Sequence, residues 1–422
     1  MNDDIALRAA LAIGKRLSRD AIWDQDRCNW LGPVNDRFMG TMLSGYGALG
    51  PSIYDGTAGI ALFLAHLGQI SGDPIIKKTA LGAINHAVDR YQDCAPTVSL
   101  SFYTGHVGVG YAAIEIGHAL DRPTFITKGV DILTEVLATD TKDKCILDVM
   151  LGVSASIPAI ISVQDTLGRD AIKGPLLHWG EQIIASAHEN DAGLSWDTTA
   201  EMQVNADGAD WMQAGEMRKP NLLGYGHGAS GIGLALLELG VAFNESKFTN
   251  AAYRAFDYES HWFDQTRNCW PDLRYHGDQD AKGVTEVAWC HGASGIGLAR
   301  QRAHVLTGDA RFLTEAQTAY ALTERAMQSR LRPETNMCLC HGVCGDVELF
   351  VNAHHCGRAQ LVRATQELIG KTFIDEDRPI AYGGGNQHQP PSLMLGLAGT
   401  GYAMLRTLSQ DRPKSLLCIG TP

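Results

Sequence analysis

The sequence predicts an all-α protein built as an α/α toroid, a double ring of helices with seven inner helices. Three observations predict it. A small-residue turn of the form Gly-x-x-Gly recurs seven times along the chain; an apolar run follows each turn; and the segments between these runs are amphipathic.

The turns fall at Gly56/Gly59, Gly105/Gly108, Gly152/Ala155, Gly228/Gly231, Gly292/Gly295, Gly342/Gly345 and Gly396/Gly399. Successive first glycines lie 47 to 76 residues apart, which is room for two helices and their connections in each unit. The runs after the turns, such as GIALFLAHLG, GIGLALLELG and GTGYAMLRTL, are apolar nearly all round, as a helix buried on most sides must be. Segments such as 80–94 and 311–330 carry a charged face and read as outer helices. No such hairpin buries its own apolar face, so seven of them close into a ring in which each inner helix meets two neighbours. The glycines let helix ends approach at the centre, where a β-carbon would hold them apart. Strand signals are sparse, and the longest irregular loops are expected at 195–221 and 382–391. The repeat spans the chain, so residues 1–422 are expected to form one domain.

Composition narrows the function. Hydrophobic residues make up 45% and charged residues 19%, enough apolar material for a large core and not the profile of a disordered chain. The net charge of -12, with no long basic run, disfavours a nucleic-acid partner. There is no transmembrane segment of about 18 apolar residues, and the first residues lack a secretion signal, so a cytoplasmic protein is expected. Ten cysteines, three of them within CLCHGVC, suit reduced thiols and metal binding better than a disulfide framework. Cys28, Cys94, Cys145, Cys269, Cys356 and Cys418 are read as small buried hydrophobes.

The chemistry emerges when the units are set in register on their first glycine. Two positions before it stand Tyr54, Tyr103, Met150, Gly226, Cys290, Cys340 and Met394; one before it stand Asp55, Thr104, Leu151, His227, His291, His341 and Leu395. Because the units share a register, these side chains face one end of the ring's centre. Cys290, Cys340 and His341 form a set of two thiolates and one imidazole that suits a single zinc ion with its fourth position open, as in catalytic sites. Their place before helix N-termini predicts that the thiolate form is favoured. Such a zinc, roughly neutral in net charge, would activate a further thiol. His227 is the candidate for proton transfer, and Asp148 is the acid nearest the third turn.

The motifs GHGASG, WCHGASG and CHGVCG resemble those of the lanthionine synthetase C-like cyclases, and the resemblance runs from YDGTAGI to LMLGLAGTGY. LGPSIYDGTAGIALFL and PSLMLGLAGTGYAMLR look closest to the cyclase domain of class II lanthipeptide synthetases. The resemblance implies an α/α toroid, zinc on Cys290, Cys340 and His341, and acid/base roles for His227 and Asp148. It implies addition of peptide cysteine thiols across dehydroalanine or dehydrobutyrine, with a dehydrated precursor peptide as substrate and a broad, partly open cavity. It leaves open a free-standing cyclase with a separate dehydratase or a domain of a longer protein. Two departures stand out: His291 occupies the place of a tyrosine in the type member, and Glu286 stands where an arginine is expected. Lys282 or Arg274 is the candidate to supply that charge. The rival readings are an enzyme adding glutathione to dehydroamino acids and a non-catalytic, peptide-binding toroid.

Overall fold

The computed structural model describes residues 3–38, 41–139, 145–198, 220–277, 285–351, 356–376 and 389–421. Seven inner helices follow the seven turns: α2 (Thr57–Ser71), α4 (His106–Ala119), α6 (Val153–Ser162), α9 (Ala229–Phe243), α11 (Ala293–Thr307), α13 (Val343–Val351) and α15 (Leu397–Arg406). The others are α1 (Asp3–Asp20), α3 (Pro74–Asp89), α5 (Pro123–Leu137), the short α7 (Gln164–Leu167), α8 (Arg169–Ala185), α10 (Ser246–His261), α12 (Ala310–Arg330) and α14 (Cys356–Gly370). Each inner helix packs on its two ring neighbours, and α15 packs on α2, so the ring closes. The seventh pair is not a hairpin: the outer partner of α15 is α1, from the opposite end of the sequence.

Outer helices carry local start signals. Asp73 caps α3 by accepting from the amides of Ile75 and Ile76, with Pro74 at the first helical position, and Asp309 caps α12 through Arg311 N. Inner helices have no side-chain cap. Their first amides donate instead to carbonyls of the preceding loop: Thr57 to Gly50, His106 to Ser99, Val153 to Ile146, Ala229 to Leu222, Val343 to Asn336 and Leu397 to Pro390. That wrapped loop explains the second glycine of each turn. A Cβ at Gly59, Gly108, Gly231, Gly295, Gly345 or Gly399 would strike the carbonyl oxygen of the residue six before it.

A ring of backbone hydrogen bonds joins the turns at the position two before each first glycine. Tyr54 N donates to Tyr103 O (2.8 Å), Met150 N to Gly226 O (3.2 Å), Gly226 N to Cys290 O (2.8 Å), Cys290 N to Cys340 O (3.3 Å), Cys340 N to Met394 O (3.1 Å) and Met394 N to Tyr54 O (2.9 Å). Every bond runs in the same sense. Between the second and third units the link is a side chain, Ser101 Oγ donating to Met150 O at 3.0 Å. The third unit is also the one whose second glycine is replaced by Ala155.

The inner helices are not purely apolar. Buried ion pairs join neighbours: Glu238 of α9 with Arg302 of α11 at 2.6 Å, and Glu348 of α13 with Arg406 of α15 at 2.8 Å. Such pairs fix which helices meet more than they add net stability. Among the described residues, three antiparallel hairpins form: β1–β2 (Ile22–Asp24, Arg27–Asn29), β3–β4 (Leu31–Phe38, Thr41–Ala48) and β5–β6 (His188–Asn190, Gly193–Ser195). The eight-residue strands of β3–β4 escape a sequence reading because their glycines and Pro33 blur the alternation of polar and apolar residues. The irregular loops expected at 195–221 and 382–391 fall largely outside the described residues. No helix among the described residues is long and apolar enough to cross a membrane.

Candidate active site

The ring brings the fourth, fifth and sixth turns together at its centre, and the residues picked out by register meet there. Cys290 and Cys340 are in side-chain contact as well as joined through their backbones. Gly226 makes room for them, since a Cβ at that position would lie 3.1 Å from Cys290 Cβ. The turn bearing Cys290 is tighter than its counterparts: Ala288 N donates to His291 O, and Gly292 takes a φ of 97° that favours glycine.

One guanidinium secures both cysteine loops. Arg330, the last residue of α12, donates to Val287 O (2.7 Å), to His341 O (3.1 Å) and to Asp346 Oδ2 (2.8 Å). Asp346 is fully buried, and burial pushes its carboxyl up to about 7, with Arg330 opposing that shift. Arg330 was not picked out in the sequence, where it looks like one more charge on an outer helix.

At Cys340 the helix N-terminus expected to favour a thiolate does not outweigh its surroundings. The Val343 amide at the start of α13 is taken by the Asn336 carbonyl, which leaves less of the helix end to offer a sulfur. The Cys340 thiol is instead pushed well above its ordinary range, first by its hydrogen bond with Cys290 and then by burial. A cation beside the Cys290–Cys340 pair would stabilise the anionic sulfurs. His341 is held down by burial and by Arg330, so its imidazole is neutral, the form that ligates. Two thiols in contact and a neutral imidazole next in sequence are a donor set that fits zinc. Among the described residues, no three His, Cys, Asp or Glu side chains already stand in a ligating array.

His227 and Asp148 come together from different turns. His227 Nδ1 lies 2.5 Å from Asp148 Oδ2, while Asp148 Oδ1 accepts from Leu151 N at 2.7 Å. Asp148 is 1% exposed and His227 15%, so the carboxylate is sealed in and the imidazole is partly exposed. His291, next in sequence to Cys290, tilts against His227 with ring centroids 5.5 Å apart. Burial, then the charges of Arg274, His227 and His341, push His291 far below its usual range. Arg274 donates to Asp272 Oδ2 at 2.6 Å and lies 3.8 Å from Glu286. Lys282 lies outside the described residues. Tyr54, to which the sequence assigned no role, places its hydroxyl 3.3 Å from Cys340 Sγ.

The remaining cysteines behave as expected. Cys28, Cys94, Cys145, Cys269 and Cys418 are buried and in no disulfide, and burial pushes Cys28 and Cys94 up to about 12. The side chain of Cys356 lies outside the described residues.

Comparison with known proteins agrees with this architecture. The nisin cyclase structure superposes with a TM-score of 0.61 over 85% of this chain and 89% of that one, at 16% identity. The Lacticin 481/lactococcin biosynthesis protein LcnDR2 of Lactococcus lactis subsp. lactis is 24% identical over 46% of this chain and 21% of its own length. This chain therefore matches about a fifth of that relative. Glutathione S-transferase LANCL1 of Danio rerio is 24% identical over 86% of this chain and 83% of its own. The family described as "Lanthionine synthetase C-like protein" matches residues 47–418. A match that runs from the end of β4 to the buried tail takes in all seven turns, and the chain belongs to the lanthionine synthetase C-like family.

Proposed function

We propose that this chain is a zinc-dependent cyclase that closes lanthionine and methyllanthionine rings in a dehydrated precursor peptide. The observation that carries the reading is that the Cys290–Cys340 pair and the His227–Asp148 dyad sit on adjoining turns of one ring, joined by Gly226 N donating to Cys290 O. Cys290, Cys340 and His341 would hold one zinc, which when bound acidifies a substrate thiol while leaving its sulfur electron-rich.

The chain's own residues handle the proton. Asp148 accepts from His227 Nδ1, which leaves Nε2 as the nitrogen that exchanges a proton with substrate. His227 takes the proton of the substrate cysteine, the sulfur adds to the β-carbon of dehydroalanine or dehydrobutyrine, and the electron pair moves onto the adjacent carbonyl. His227 then returns the proton to the α-carbon. One carbon–sulfur bond forms, the proton passes from sulfur to carbon, and no oxidant or co-substrate is consumed. His291, buried and neutral, lies tilted against that imidazole. A dehydratase, whether a separate protein or part of a longer chain, would supply the dehydrated peptide.

A second reading, addition of glutathione to dehydroamino acids, is favoured by the similarity to the Danio rerio protein named Glutathione S-transferase LANCL1. One experiment separates the two. Dehydrated peptide is incubated with the protein with and without glutathione, and free thiols and mass are followed. A cyclase consumes peptide thiols with no change in mass; the alternative adds the mass of glutathione. Zinc content is measured in parallel: the wild type should hold one per chain, and Cys290→Ala and Cys340→Ala should lose it. His227→Ala should abolish ring closure while keeping zinc, and release of the metal by that variant would defeat the assignment.

A further inference from the structure

Tyr54 belongs to the first turn and Cys340 to the sixth, yet the phenol oxygen lies 3.3 Å from the sulfur. This is the only hydrogen bond the hydroxyl makes among the described residues. Its backbone is pinned on both sides by the central ring, Tyr54 N donating to Tyr103 O and Met394 N donating to Tyr54 O. The side chain thus leaves the ring from a fixed point, and its reach to Cys340 follows from closure of the toroid.

We propose that Tyr54 is a positioning residue for the thiol chemistry, donating its hydroxyl hydrogen to the Cys340 sulfur and holding that sulfur in place. The role of Cys340 as a zinc ligand rests on the function proposed above. Cys290 and Cys338 also face Cys340, but a thiol is a weak donor and the phenol is the strong one. A hydrogen bond to an anionic sulfur is charge-assisted, and it draws electron density from the ligand. Partners of this outer kind typically change metal affinity by about 10–100-fold.

Tyr54→Phe removes the hydroxyl and keeps the ring, so packing is preserved. Zinc affinity is measured by competition with a chelator, and the cobalt-substituted protein is followed by its sulfur-to-cobalt charge-transfer band. Tyr54→Phe should bind zinc about tenfold more weakly and move the band to lower energy. Tyr402→Phe, whose hydroxyl donates to the Lys414 carbonyl instead, should change neither. Unchanged affinity and an unmoved band in Tyr54→Phe would overturn the proposal. If the wild type takes up no metal, the zinc reading falls, and the contact is then tested on the metal-free chain. There, alkylation of Cys340 at one fixed pH, located by peptide mapping, should slow several-fold in Tyr54→Phe, and equal rates would overturn it.

Discussion

His227 Nδ1 and Asp148 Oδ2 lie 2.5 Å apart although 79 residues separate them in the sequence. The contact places a buried carboxylate behind a partly exposed imidazole. It fixes which ring nitrogen is free, and it ties the third turn to the fourth.

Asp148→Asn should therefore slow ring closure by about a hundredfold or more, the usual weight of a positioned proton-transfer group, while zinc content stays at the wild-type level. Because the two residues act as one unit, Asp148→Asn combined with His227→Ala should be no slower than His227→Ala alone. Single-turnover assays of a dehydrated peptide by mass spectrometry measure this.

Arg330→Ala should strip the clamp from both cysteine loops and leave Asp346 buried without its cation. The expected cost is about 3 kcal/mol of stability, together with weaker zinc binding. Adding Asp346→Asn should recover part of the stability and none of the zinc affinity. Denaturant unfolding and chelator competition read the two effects separately.

Much of the site is legible in the sequence because the repeated turn acts as a ruler. Once the units are in register, Cys290, Cys340, His341 and His227 fall at matching positions and must converge if the ring closes. Tyr54 stands at the same register position as the two cysteines, so its nearness to Cys340 could have been found by the same rule. Arg330 could not. It ends an outer helix whose charges look alike in sequence, and only the packed structure shows which one turns inward. The pairing of α1 with α15 was hidden for a related reason, since amphipathicity says that a helix has a partner without saying which.

Gly345→Ala should cost about 2–3 kcal/mol and release zinc, because the new methyl group meets the Leu339 carbonyl in the turn that carries Cys340. Thermal unfolding and zinc analysis of Gly345→Ala read the two effects separately.

Acid should weaken the fold in a defined window. Burial lowers His66 on α2 to about 4 and holds His291 far below its ordinary range. Both are depressed relative to the unfolded chain, so the stability they contribute is complete above about 6.5 and is lost as pH falls through their folded values. Unfolding free energy measured at intervals from pH 7.5 down to 4.5 should decline, and His66→Gln should make the decline shallower.

In an open array of repeats the end units have one neighbour each and fray first. The bond from Met394 N to Tyr54 O removes that distinction here, because the first and last turns are as well flanked as any other. Without an end from which to peel, the chain should lose its structure all at once, and the metal loops should hold until the whole ring opens.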